Sequence, residues 1–102
     1  MKTGSRTPWG IADNVEILAE GIWSVSTPSH GGIKLNAARN KKIPDYMRID
    51  DGWYEEDCNW SIPAVVFPGA FTLQHGDSAT MAMDTLKNWH PSSYEQYFKA
   101  HS

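Results

Sequence analysis

Cysteine occurs once in the 102 residues, at Cys58. An internal disulfide is therefore excluded, and a reducing cytoplasm is the expected setting. No apolar run approaches the ~20 residues of a membrane-spanning helix. The opening stretch Met1–Arg6 carries no apolar segment of the signal-peptide kind. Positive charge is in short supply: nine Lys and Arg against twelve Asp and Glu leave a net charge of −3. That argues against direct nucleic-acid binding, whose footprint is a basic face. Internal repeats and low-complexity tracts are absent as well. The Gly31-Gly32 pair lacks the long glycine spacing and the Lys-Ser/Thr of a nucleotide phosphate loop, and no His-Glu-x-x-His helix is present. No cofactor and no dedicated metal site are expected.

The length suits one domain that buries roughly two-thirds of its extended surface on folding. Five tryptophans are many for such a chain. Several are expected to cover the core rather than fill it, because the indole N–H needs a partner. Residues 1–8 read as a flexible polar segment, and residues 9–102 as a single α+β domain. Trp9 is the expected first core contact. Val15–Ala19 and Ile22–Thr27 alternate around Glu20-Gly21, the pattern of a β-hairpin. Thr27-Pro28-Ser29-His30-Gly31-Gly32 breaks the strand, and Ile33–Leu35 leaves as a short one. The glycines there permit positive φ or close backbone approach. Asn36 caps a helix over 37–42, and Asp45–Arg48 adds one more turn before Asp50-Asp51-Gly52.

The densest stretch is Gly52-Trp53-Tyr54-Glu55-Glu56-Asp57-Cys58-Asn59-Trp60. It reads as a turn feeding a helix whose first turn carries the acids, where unpaired N–H groups and the helix dipole favour negative charge. Pro63 conflicts with an unbroken helix from Glu55 to Phe67 unless the helix opens later, at Cys58 or Asn59. Residues 72–77 read as a loop or a stray strand, Ser78 as the cap of a helix to about Asn88, and Ser92 or Ser93 as the cap of a last one. Met81, Leu86 and Trp89 are its neighbour's packing candidates, and Tyr94, Tyr97 and Phe98 form the last helix's apolar face. The expected fold is a small antiparallel sheet, begun by the N-terminal hairpin, packed with three to four helices.

Three chemistries compete for this chain. Cys58 near a helix start, with His30 presented by its loop, has the elements of a thiolate nucleophile and base. Three adjacent carboxylates raise a thiol pKa, however, and a lone cysteine is most often inert core. His30 with Glu55, Glu56 and Asp57 offers metal-ligand atoms, but neighbouring residues on one element point different ways. Charge patterning is the stronger signal. Lys34, Arg39, Lys41 and Lys42 fall within nine residues, whereas Asp45 to Asp57 holds six acids against one base, Arg48. The candidate site is thus an acidic, aromatic-edged patch of Asp50, Asp51, Trp53, Tyr54, Glu55, Glu56 and Asp57, fitted to a basic surface. Two solvated faces, or a basic helix paired with an acidic turn, are the plain structural alternatives.

The blocks Thr7-Pro8-Trp9-Gly10-x-Ala12-Asp13, Thr27–Leu35 with Ser-His-Gly-Gly at its centre, Gly52–Trp60 with Glu-Glu-Asp-Cys, and Phe67-Pro68 resemble a bacterial domain family of unknown function. Its members occur on plasmids, phages and other mobile elements, alone or within larger proteins that travel with antirestriction genes. The resemblance implies a setting in which mobile DNA contends with host defences, and no established activity. The reading that results is an acidic accessory protein that binds a basic surface of a host protein or nucleoprotein complex, as an anti-CRISPR-like inhibitor. A small enzyme using Cys58 and His30, or a His30–carboxylate metal site, is the alternative.

Overall fold

The computed structural model describes residues 2–56, 59–71 and 78–101. Two short strands, β1 (Arg6–Thr7) and β2 (Gly10–Ile11), pair antiparallel within the first eleven residues. The segment expected to be loose thus takes part in a hairpin, and Gly4 and Ser5 bond to Ala12 through their backbones. The main sheet follows, with β3 (Asn14–Ala19), β4 (Ile22–Ser26), β5 (Gly31–Leu35) and β6 (Trp53–Glu55) side by side in that order, all antiparallel. The hairpin read from alternation is β3–β4, turned at Gly21 with φ +81°.

Between β5 and β6 come α1 (Ala37–Lys41) and an irregular stretch. Asn36 caps α1, its Oδ1 accepting from the Arg39 N–H at 2.8 Å. The expected turn over Asp45–Arg48 forms, with the Arg48 N–H donating to Pro44 O at 3.0 Å. After β6 come α2 (Ser61–Val66), a 3-10 turn (Pro68–Ala70), α3 (Ser78–Trp89) and α4 (Pro91–His101). Pro91 is itself the first helical residue, a position that suits its missing N–H, so α4 opens before Ser92 and Ser93. The loop or stray strand read over 72–77 lies outside the described residues.

The helix entry expected at Glu55 is replaced by a strand. Trp53 and Glu55 are half-buried and Tyr54 between them is fully buried, an alternation of period two. Pairing with β5 captures the backbone there: the Glu56 N–H donates to Gly31 O at 2.9 Å. It is therefore not one of a helix's unpaired donors, and Glu55 and Glu56 are not held by a helix dipole. The helix opens at Ser61 instead, which places Pro63 at its third position, where a missing N–H breaks no intrahelical bond.

Register sorts the sheet's side chains into two faces. Ile22, Ile33, Leu35 and Tyr54 point to the helix side and join Ile43, Ile62, Phe71, Ala82 and Leu86 in one buried cluster. Each large side chain so buried contributes about 1.5–3 kcal/mol. Tyr94, Tyr97 and Phe98 dock α4 against this cluster. Trp60 packs on it too, but the tryptophans do not share one core. Ile17, Trp23, Lys34 and Trp53 lie in one row across the opposite face. Met81 and Trp89, read as packing residues, are 55% and 68% exposed, and Ala82 takes the inward position beside Leu86.

Candidate functional site

The described residues of the acidic patch, with His30, collect at the two ends of β6, an edge strand of the sheet. At its start, Asp50 and Asp51 are exposed in the turn before Gly52. Asp51 Oδ1 accepts from the Trp53 N–H at 3.0 Å. Its carbonyl accepts from Lys34 Nζ at 2.6 Å, with the same ammonium 4.9 Å from the centre of the Trp53 ring. Burial of that ammonium holds its pKa below the ordinary lysine value, against the opposing pull of the Asp51 charge. Tyr54, the second aromatic candidate, is wholly interior and is no part of an exposed patch.

Glu55 and Glu56 stand at the other end of the strand. Glu55 faces outward with Trp53, and its Oε1 lies 3.9 Å from Nδ1 of His30, with side chains 39% and 53% exposed. That is beyond hydrogen-bonding reach, in the open. The ring of His30 does not fix its loop through a hydrogen bond to any described residue. Thr27 does so instead: its hydroxyl donates to His30 O at 2.7 Å and accepts from the His30 N–H at 3.1 Å. Cys58 and Asp57 lie outside the described residues.

Gly32 explains why the glycine pair belongs inside β5. A Cβ there would press on the Tyr54 carbonyl oxygen and stand 2.6 Å from the Trp9 ring. The bare backbone lets Trp9 lie on the outer face, edge-on to Trp53 with ring centres 5.5 Å apart. Close approach, the second of the two roles read for this pair, is the one Gly32 plays. Trp9 is therefore a cover for the outer face and not part of the helix-side core.

Among the described residues no lysine or arginine forms an ion pair with Asp50, Asp51, Glu55 or Glu56. Arg39 donates to Glu20 O at 2.9 Å and lies over Phe67. Arg48 donates to the carbonyls of Ile43 and Lys41 and pairs with Asp45 at 2.8 Å. Among the described residues, Arg48 pairs with Asp45 and His30 makes a loose contact with Glu55; α1 meets the acidic turn through the Asn40 amide, which donates to the carbonyls of Ile49 and Asp50, and not through its cations. No group of three or more His, Cys, Asp or Glu among them is arranged to hold a metal ion. No helix among them is long and apolar enough to cross a membrane.

Sequence reasoning passed over one feature. A pocket of about 350 Å³ opens on the helix side of the sheet, with Ser24, Ser26 and Ile33 as its floor. Trp60, Phe71 and Met81 wall it, and Glu56 stands at its edge. The signal was the alternation Ile22-x-Ser24-x-Ser26, which sets two hydroxyls on the same face as a core isoleucine. Glu56 reaches this face because it follows Glu55 by one residue and points the other way. Its Oε2 comes within 3.2 Å of where a Cβ on Gly31 would be.

A family described as a domain of unknown function, DUF7007, matches residues 2–102. No curated protein and no solved structure matches the chain.

Proposed function

We propose that this chain, which belongs to the DUF7007 family, works by binding a protein partner through its acidic edge strand. The observation that carries the reading is the set of carboxylates Asp50, Asp51, Glu55 and Glu56 along one short edge strand and its turns. None of them meets a lysine or arginine side chain in an ion pair among the described residues. Charge of one sign that is not engaged in such pairs steers an oppositely charged partner and raises its association rate. Trp53 at the centre of the strand is half-buried and supplies the aromatic edge. The enzyme alternative draws less from this geometry, since His30 and Glu55 approach one another on an open surface and not in a pocket.

The partner surface that fits is basic, of the kind that normally holds nucleic acid. The resemblance to domains carried by plasmids and phages points to a host defence complex as its owner, with inhibition as the outcome. The test is capture of partners from a host lysate by wild type and by the Asp50→Lys/Asp51→Lys variant, followed by association rates at low and high salt. A partner whose association slows sharply with charge reversal and with salt supports the reading. Equal rates for both proteins at both salts overturn it.

A further inference from the structure

The pocket beside β4 has a lining with a definite chemical preference. Ser24 and Ser26 turn toward the helix side, where their strand neighbour Ile22 is fully buried. Neither hydroxyl is hydrogen-bonded to a described residue. Glu56 is the one charged side chain among the described lining residues. Its N–H donates to Gly31 O at 2.9 Å, and its carboxylate, in an exposed residue, lies over the bare Gly31 backbone. Gly31 is the register partner of Ser26, so the carboxylate stands beside the second hydroxyl. Across from it are Trp60, Phe71 and Met81.

Such a site offers acceptors at one side, aromatic and thioether surface at the other, and among its described residues no cation to receive an anion. It suits a positively charged planar group on an apolar stem. A guanidinium forks onto a carboxylate, donates in several directions at once and stacks on aromatic rings, whereas an ammonium is a more strongly hydrated point charge. At about 350 Å³ the pocket lies at the small end of ligand sites, which run roughly 300–1,000 Å³. That is room for one long side chain with its waters.

We infer that this pocket receives an arginine side chain of the protein partner, with Glu56 as its carboxylate and Ser24 and Ser26 as further acceptors. The inference rests on the binding reading above and names the anchor within it. An arginine seated in a partly enclosed aromatic pocket is the kind of contact that dominates an interface.

The experiment is a titration of the isotope-labelled protein, followed by amide and indole resonances, with acetyl-Gly-Arg-Gly-amide. The neutral citrulline and the lysine versions of the same peptide, and free arginine, are the comparisons. The arginine peptide is expected to shift Ser24, Ser26, Glu56 and the Trp60 indole. The citrulline peptide should bind at least ten-fold more weakly and the lysine peptide detectably more weakly. Glu56→Gln should weaken the arginine peptide by a similar factor, with the fold checked by its spectrum, and Asp50→Lys/Asp51→Lys should leave that binding unchanged. Absence of shifts at these residues, equal binding of arginine and citrulline peptides, or an indifferent Glu56→Gln overturns the inference. Free arginine binding as well as the peptide overturns the assignment to a partner's side chain. The two readings fail separately. A partner lost on Asp50/Asp51 reversal but unaffected by Glu56→Gln removes the pocket and keeps the edge strand. Peptide binding together with a salt-independent partner does the reverse.

Discussion

The hydroxyl of Tyr54, at the centre of β6, donates to Oδ1 of Asn40 in α1 at 2.5 Å, and the two residues are 0% and 7% exposed. The same phenol oxygen accepts from the Ile49 N–H at 3.1 Å, and Asn40 Nδ2 donates to the Ile49 carbonyl at 2.9 Å. One closed set of bonds thus ties the edge strand to the helix and to the irregular stretch between them. It also fixes the turn that displays Asp50 and Asp51.

Tyr54→Phe keeps the ring and removes that hydroxyl, leaving Asn40 Oδ1 and the Ile49 N–H without their partner. The expected loss is about 1–3 kcal/mol of stability, read from denaturant unfolding of the two proteins. A loss below about 0.5 kcal/mol would show that water replaces the phenol without cost.

Burial raises the Tyr54 pKa above its ordinary value of 10.0, with the Ile49 hydrogen bond pulling the other way. A raised acid holds its proton longer in the folded chain than in the unfolded one. Its contribution is complete below pH ~10 and declines as pH rises from the unfolded pKa through the folded one. Stability should therefore fall across the alkaline range, and the fall should be shallower in Tyr54→Phe. Identical slopes for the two proteins would assign the alkaline loss to other groups.

Gly32→Ala drives a methyl group against the Tyr54 carbonyl and the Trp9 ring. Overpacking of this kind costs about 1–3 kcal/mol, more than the roughly 0.4–1 kcal/mol gained by stiffening the unfolded chain. Adding Trp9→Ala should relieve only part of the strain, because the carbonyl belongs to the paired strand and cannot retreat. Full recovery in the double variant, by thermal unfolding, would locate the conflict in the ring alone.

His30→Ala should change stability by less than about 0.5 kcal/mol, as expected of an exposed side chain. Thr27→Val, which removes the hydroxyl that closes the same turn, should cost about 1–3 kcal/mol. Equal losses for the two would return the histidine to a structural role.

The pattern of residues along the chain was enough for the fold class and for much of its order. Alternation around Glu20-Gly21 marked the first hairpin, Asn36 marked the start of α1, and the spacing of Tyr94, Tyr97 and Phe98 marked the inward face of α4. These are signals a few residues long, set by side-chain period and by local capping bonds. The central segment was different, because Glu55 and Glu56 after a glycine turn have the local chemistry of a helix start. Only pairing with β5 decides that they lie on and just beyond an edge strand, and that pairing partner is over twenty residues away in sequence. The same long-range register sends Glu55 to the outer face beside His30 and Glu56 to the inner face beside Ser26. It separates two neighbouring carboxylates that the sequence presents as one patch. The composition and order of charges were fixed by the sequence, but which face each charge occupies was decided by strand pairing, because one step along a strand reverses the direction of a side chain.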